Sequence, residues 1–130
     1  MIGIDTNILV RYVVHDDTEQ TRRAVRFLER ECTLEDPGLV NDVVLTELVW
    51  VLESVYRYSR QQVSVLIGGL LRASQLTVEN SEDARTTLRE YEEGADFTDA
   101  LIGAINRRLG CEYTVTFDRR AARRPGFLAL

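Results

Sequence analysis

Short apolar runs alternate along the chain with longer stretches in which apolar residues recur at helical spacing. The clearest helical stripe covers residues 63–71 and follows a capping box formed by Ser59 and Gln62. Strand-like runs are predicted over residues 2–4, 39–44, 76–79 and 113–117, the last of them ending the fold. This alternation predicts an α/β fold of three layers, α/β/α, around a central, mostly parallel sheet of about four to five strands.

The starts of the helices carry polar side chains that suit capping. Asp16 and Asp17, with Gln20, predict a capping box that opens a helix through about residue 31. The side chains predicted to face inward from this helix are Ala24, Val25, Phe27 and Leu28. Further helices are predicted over residues 45–56, over 81–93 with a stop at Gly94, and from Asp96 to about residue 110.

Length and composition narrow the class of protein. With 130 residues, 45% of them hydrophobic and 28% charged, the chain is predicted to form one globular domain over residues 1–130. No apolar run reaches the roughly 18 residues of a membrane helix, and no export signal precedes the first strand. We therefore expect a cytoplasmic protein that makes no membrane contact.

The charge is unevenly distributed. The net charge of −5 argues against binding of nucleic acid by the average field, but all sixteen basic residues are arginine. The arginines of the last quarter are Arg107, Arg108, Arg119, Arg120, Arg123 and Arg124. Arginine binds phosphate oxygens with two parallel donors, so this segment either holds a phosphate-binding patch or forms salt bridges on a solvated face. The absence of lysine argues against P-loop nucleotide binding.

Carboxylates stand where strands end or helices begin. Asp5 follows the first strand, Glu47 lies near the start of the helix after the second, and Asp118 follows the last strand. Asp96 and Asp99 open the preceding helix three residues apart, which places them on neighbouring parts of one face. Carboxyl ends of parallel strands share one edge of the sheet, so we expect these acids to converge and to need a cation. Oxygen ligands without histidine or cysteine favour Mg²⁺, with Mn²⁺ as the alternative.

Four sequence blocks resemble one protein family, the PIN-domain ribonucleases, and within it the VapC-type toxins of toxin–antitoxin pairs. The blocks are IDTNILVRY, LTELVWVLE, GADFTDALIGAINRRLGC and TFDRRA, in the order and at the separations of that family. The resemblance implies metal-dependent endonucleolytic cleavage of structured RNA, often transfer RNA. It also implies a homodimer that a small antitoxin protein holds inactive.

The resemblance also assigns residues. Asp5, Glu47, Asp99 and Asp118 match the catalytic acids, and Asp5 and Asp99 are the clearest metal ligands. Asp118 and Asp96 join the predicted metal set, Asp96 in a supporting or shared role. Beside these acids, Thr6, Asn7 and Thr116 are candidates for orienting ligands or water. Arg119 and Arg120 are candidates for contact with substrate or partner.

Each assignment has a simpler alternative. Asp5, Asp96 and Asp99 could serve only as helix caps, and Glu47 lies off the apolar stripe of its helix, as a solvated glutamate does. One alternative function is a PIN-like binding module, which would have the same fold but would have lost catalysis and would act only through a partner. A small-molecule phosphohydrolase is disfavoured by the missing lysine and by the lack of a second aspartate two residues after Asp5.

Overall fold

The computed structural model describes residues 1–16 and 18–130, and contacts between residues divide the chain into two compact units. The first unit is Met1–Ser81 and the second is Glu82–Leu130. The prediction of one domain over residues 1–130 stays a prediction. None of the helices in the described residues is long and apolar enough to cross a membrane.

The first unit holds a three-stranded parallel sheet in the order β1-β2-β3. The strands are β1 (Ile2–Gly3), β2 (Gly38–Val40) and β3 (Leu76–Val78). Gly38 pairs with residue 2 on one side and residue 76 on the other. A Cβ at Gly38 would lie 2.9 Å from Cγ1 of Ile4 and 3.0 Å from Cδ2 of Leu76, so glycine permits the close packing of these strands.

Four helices of the first unit surround a common apolar core. They are α1 (Thr6–Val14), α2 (Glu19–Glu31), α3 (Asp42–Ser54) and α4 (Arg60–Arg72). The fully buried leucines Leu9, Leu28, Leu45, Leu48 and Leu52 come from three of these helices. The capping box at the start of α4 is confirmed, because Oγ of Ser59 accepts from the Gln62 N–H at 3.1 Å and Oε1 of Gln62 accepts from the Ser59 N–H at 2.8 Å.

The predicted opening of α2 is wrong. Its N-cap is Thr18, whose side chain accepts from the Thr21 N–H at 3.1 Å, and Asp17 lies outside the described residues. Asp16 instead accepts from the Thr18 hydroxyl at 3.2 Å. Phe27 was predicted to face inward, yet its side chain is 40% exposed. Ala24 and Leu28, which share one stripe four residues apart, are buried as predicted.

The boundary between β2 and α3 also differs from the prediction of a strand to residue 44. The strand ends at Val40, because Asn41 caps a helix there by accepting the Val44 N–H at 2.9 Å. Val43 and Val44 have high strand propensity, but the cap places both in the first turn of α3. Glu47 consequently lies in the second turn of α3, on its exposed side.

The second unit pairs two helices with a small sheet. Its helices are α5 (Ser81–Glu92), whose first residue belongs to the first unit, and α6 (Phe97–Arg108). Its strands are β4 (Thr114–Thr116) and β5 (Phe127–Ala129), which pair in parallel around a short 3₁₀ turn over Ala121–Arg123. Gly94 ends α5 with a φ of +110°, as predicted. The rings of Tyr91 and Phe97 meet edge to face at 5.8 Å and fix the corner between the two helices.

The strand β5 was missed, and β4 is therefore not the last strand. A three-residue strand is too short to show a period, and Pro125 and Gly126 before it are typical of a turn. Phe127 is nevertheless held in place, since its ring lies 2.7 Å from the position that a Cβ on Gly103 would occupy. The α/β class and the parallel pairing are confirmed, with the strands of the described residues grouped as three and two.

Candidate active site

Asp5 and Glu47 are linked through Thr6 in the first unit. Asp5 follows β1 and caps α1, where its Oδ1 accepts the Thr6 N–H at 2.7 Å. The hydroxyl of Thr6 donates to Oε2 of Glu47 at 3.1 Å, and Thr6 is only 5% exposed. A helix N-terminus attracts negative charge, so the local fold holds both carboxylates near the start of α1.

A solvent-accessible cleft of about 280 Å³ joins these residues. Asp5, Asn7 and Glu47 line it, with Arg11 and Tyr56 further along its wall. A second cleft, of about 630 Å³, runs beside β1 and is also lined by Asp5 and Asn7. Both carboxylates are exposed, so a ligand reaches them without displacing core residues.

Asp96 and Asp99 open α6 in the second unit. Asp96 is the N-cap, and its Oδ1 accepts the Asp99 N–H at 2.9 Å, which confirms the predicted capping geometry. Burial raises the pKa of Asp99, and the negative charges of Asp96 and Asp118 raise it further, while the positive charge of Arg124 opposes them. Ionisation of Asp99 is therefore less favourable than that of an ordinary carboxyl, and a nearby cation would oppose this effect.

The pKa of Asp118 is shifted in the opposite direction to that of Asp99. Its Oδ1 accepts the backbone N–H groups of Arg120 at 2.8 Å and Ala121 at 3.0 Å, which opens the 3₁₀ turn. These bonds from Ala121 and Arg120 lower the pKa of Asp118. Thr116 supports the same turn, because its hydroxyl oxygen accepts the Asp118 N–H at 3.0 Å. Oδ2 of Asp118 takes part in neither backbone bond.

The candidate metal ligands are carboxylate oxygens, which suit a hard cation that keeps part of its water shell. Within each unit, the described residues bring no group of three or more Asp, Glu, His or Cys side chains close enough to form a complete metal cage. Mg²⁺ is usually bound through one or two carboxylates with several waters retained, so paired carboxylates fit this ion. The predicted convergence of all five acids stays a prediction.

Five of the six C-terminal arginines fall into two groups. Arg108 pairs with Asp83 at 2.7 Å, and Arg107 and Arg124 both lie against Glu90, so for these three the salt-bridge alternative is correct. Arg119 and Arg120 are exposed, and their guanidinium groups form no ion pair or hydrogen bond among the described residues. A phosphate contact by Arg119 and Arg120 stays a prediction.

Sequence reasoning passed over two sets of polar residues. Asp42 follows β2, where its N–H donates to Oε1 of Glu79 at 3.0 Å and its Oδ2 accepts from Nδ2 of Asn80 at 2.6 Å. Asn41 separates Asp42 from the end of β2, and this Asn-Asp pair after an apolar run was a signal for a helix start at the carboxyl end of the sheet. The ion pair of Glu90 with Arg124 had no such signal, since 34 residues separate them.

Comparison with known proteins identifies the class. Residues 2–127 match the family model of the PIN domain, so the chain belongs to the PIN-domain family. This confirms the family predicted from the four sequence blocks, and the match spans residues of both units. The chain is also similar to the VapC ribonuclease of Aquifex aeolicus (strain VF5). The two are 24% identical over 118 residues, which cover 90% of this chain and 87% of the relative.

Proposed function

We propose that the protein is a metal-dependent endoribonuclease that acts as the toxin of a toxin–antitoxin pair. The observation that carries the proposal is the Asp96–Asp99 pair at the start of α6, where Asp96 accepts the Asp99 N–H, in a chain of the PIN-domain family. The similarity to a protein named VapC ribonuclease supports RNA as the substrate. Structured RNA, including transfer RNA, is the substrate class we propose.

The catalytic acids in this proposal are Asp5, Glu47, Asp99 and Asp118. We propose Asp5 and Asp99 as the principal ligands of Mg²⁺ or Mn²⁺, with Asp96 and Asp118 as further candidate ligands. Such an ion, when bound, supplies charge neutralisation at the phosphate and at the leaving oxygen.

The remaining roles belong to the chain's own side chains. In this proposal Glu47, which accepts a hydrogen bond from the Thr6 hydroxyl, takes the proton of a water molecule that attacks phosphorus. The oxygen of that water forms a bond to phosphorus while the bond from phosphorus to the leaving ribose oxygen breaks. Asn7 and Thr116 orient metal ligands or water, and Arg119 and Arg120 bind phosphates of the RNA backbone.

The partners follow from the toxin assignment. We propose a cytoplasmic homodimer that a small cognate antitoxin inhibits. Exposed apolar side chains on α3, directly after it and on α4 support a protein interface, because Trp50 is 60%, Val55 61% and Val65 65% exposed. The molar mass of purified protein in solution, measured by light scattering, tests the dimer: 14.9 kDa for the monomer would contradict it.

The decisive experiment is cleavage of total RNA by the purified full chain, free of antitoxin, in Mg²⁺ or Mn²⁺ and in EDTA. We expect discrete fragments with metal and none with EDTA. Asp99→Asn should abolish them, because it removes a charged ligand and preserves size. Asp83→Asn is the matched control: it removes a carboxylate of the same unit that pairs with Arg108, and it should leave cleavage unchanged.

Two other outcomes would redirect the proposal. A folded protein that cleaves no RNA in either metal would be a PIN-like binding module. Hydrolysis of a small phosphate ester that RNA does not compete with would identify a phosphohydrolase.

A further inference from the structure

One ion pair joins the turn that carries Asp118 to the corner that carries Asp99. Nη2 of Arg124 donates to Oε2 of Glu90. Arg124 lies directly after the 3₁₀ turn that Asp118 opens, and its N–H donates to the Ala121 carbonyl at 3.0 Å. The Arg124 end of the pair is therefore fixed to local structure beside a predicted site residue, Asp118.

The other end of the pair is equally well anchored. Glu90 lies in the last turn of α5, and its carbonyl accepts the N–H of Ala95 at 3.0 Å, one residue before Asp96. The second carboxylate oxygen of Glu90 faces Nη2 of Arg107 on α6 at 3.9 Å. Glu90 thus connects the end of α5, the start of α6 and the 3₁₀ turn.

The pair is too enclosed to be an ordinary surface salt bridge. The side chain of Arg124 is 18% exposed and that of Glu90 is 30% exposed. Nε of Arg124 is buried and has no hydrogen-bond partner among the described residues. Desolvation of such a pair offsets much of its attraction, so stability alone is a weak reason for it. The pair has a specific geometric consequence, because it fixes the turn that follows Asp118 against the corner between α5 and α6, which precedes Asp99.

We propose that Arg124, held by Glu90, is a positioning residue that fixes the Asp118 turn relative to Asp99 for metal binding. The metal part of this inference rests on the proposed function. The guanidinium also lies near enough to Asp99 to offset part of the repulsion between the carboxylates. In this arrangement Arg124 contacts neither metal nor substrate and acts through Asp118.

The structural part is tested without metal, by amide hydrogen exchange of the full chain. The informative amides are those of Arg120 and Ala121, which donate to Asp118. We expect them to exchange faster in Arg124→Gln and in Glu90→Gln than in the wild type. Asp83→Asn is the matched control, because it removes an ion pair between the same two helices, α5 and α6, and should leave both amides unchanged.

The metal part is tested by titrating the same proteins with Mn²⁺ and following thermal stability. We expect the half-saturating Mn²⁺ concentration to rise about 10- to 100-fold in Arg124→Gln and Glu90→Gln, the range typical for loss of a residue that supports a metal ligand. Arg124→Lys keeps the charge and should restore most of the affinity. If Arg124→Gln does not fold, the exchange rates and the Mn²⁺ affinity are compared between Glu90→Gln, which breaks the pair, and Arg124→Lys, which keeps its charge.

Several results would overturn the inference. Unchanged exchange in both glutamine variants would show that the pair does not hold the turn, and equal acceleration in Asp83→Asn would show general loosening. Faster exchange with an unchanged Mn²⁺ requirement would remove the link to metal binding. A wild type that binds no Mn²⁺ would overturn the proposed function and the metal part together, while the exchange data would still decide the structural part.

Discussion

The two units hold their carboxylates by different means. In residues 1–81, Asp5 and Glu47 are joined by donors, the N–H and the hydroxyl of Thr6. In residues 82–130, Asp99 is half-buried and repelled by Asp96 and Asp118. The first arrangement stabilises its acids within the fold, whereas in the second the charge of one acid is opposed by burial and by neighbouring carboxylates, which the proposed metal would offset. The difference indicates where metal binding should change stability most.

A second contrast lies inside the second unit. Asp99 and Asp118 are the same residue type, yet the pKa of one is raised and that of the other is lowered. Two backbone N–H groups bond to Asp118, whereas Asp99 is desolvated beside other carboxylates. The surroundings of each aspartate, rather than its residue type, therefore decide whether its pKa is raised or lowered.

The largest expected effect separates catalysis from capping at Asp5. Asp5→Asn keeps an oxygen that can accept the Thr6 N–H, so we expect a wild-type melting temperature without metal and complete loss of RNA cleavage. Asp5→Ala should lose cleavage and also about 1 kcal/mol of unfolding free energy, because it removes the cap of α1. Cleavage assays and urea unfolding distinguish the two. Retained cleavage in Asp5→Asn would reduce Asp5 to a helix cap.

An intermediate effect is expected at Thr6. Thr6→Val removes the hydroxyl that holds Glu47 and preserves shape, so cleavage should fall about 10- to 100-fold. Thr6→Ser keeps a hydroxyl at the same place and should retain most of the activity. The rate of cleavage of a defined RNA at saturating metal measures the effect, and equal rates in the two variants would remove Thr6 from the site.

The smallest effect is a pair of opposite changes in stability with pH. Because the folded-state pKa of Asp99 is raised, its ionisation destabilises the fold at neutral pH, and Asp99→Asn should raise the free energy of unfolding there. Because the pKa of Asp118 is lowered, its ionisation stabilises the fold above the ordinary carboxyl range, and Asp118→Asn should lower that free energy.

Both differences should shrink as the pH falls. The effect of Asp118→Asn begins to fade once the pH falls below the ordinary value of 3.8, and it is lost below the lowered pKa of Asp118, where the carboxyl is protonated in the folded protein as well. The effect of Asp99→Asn fades at higher pH, starting as the pH falls through the raised pKa of Asp99, and it is lost below the ordinary value of 3.8. Urea unfolding without metal at stepped pH values measures both, and changes of the same sign would contradict the contrast.

Many of the helices and strands could be predicted from the sequence, because the local signals agreed with the fold. The period of α4, the capping box at Ser59 and the glycine stop at Gly94 are all local. Errors arose where two local signals competed, as at Asn41, where a cap prevailed over the strand propensity of Val43 and Val44. The strand β5 was missed because it depends on pairing with β4 rather than on its own pattern.

The candidate site was predictable to a similar degree. The acids assigned from the family blocks stay a prediction, whereas the position of Asp5 after β1 predicted its cap, which is confirmed. The bond from Thr6 to Glu47 spans 41 residues and the ion pair of Glu90 with Arg124 spans 34, so neither has a local signature. Contacts of this kind follow from tertiary packing, which no single sequence pattern encodes.

The most direct test of the central claim compares melting temperatures of the wild type and Asp99→Asn, without metal and with saturating Mn²⁺. If carboxylate repulsion at Asp99 is relieved by a bound cation, the variant melts higher without metal and the wild type melts higher with it. An order that stays the same in both conditions, or an equal response of the two proteins to Mn²⁺, would contradict a metal site at Asp99.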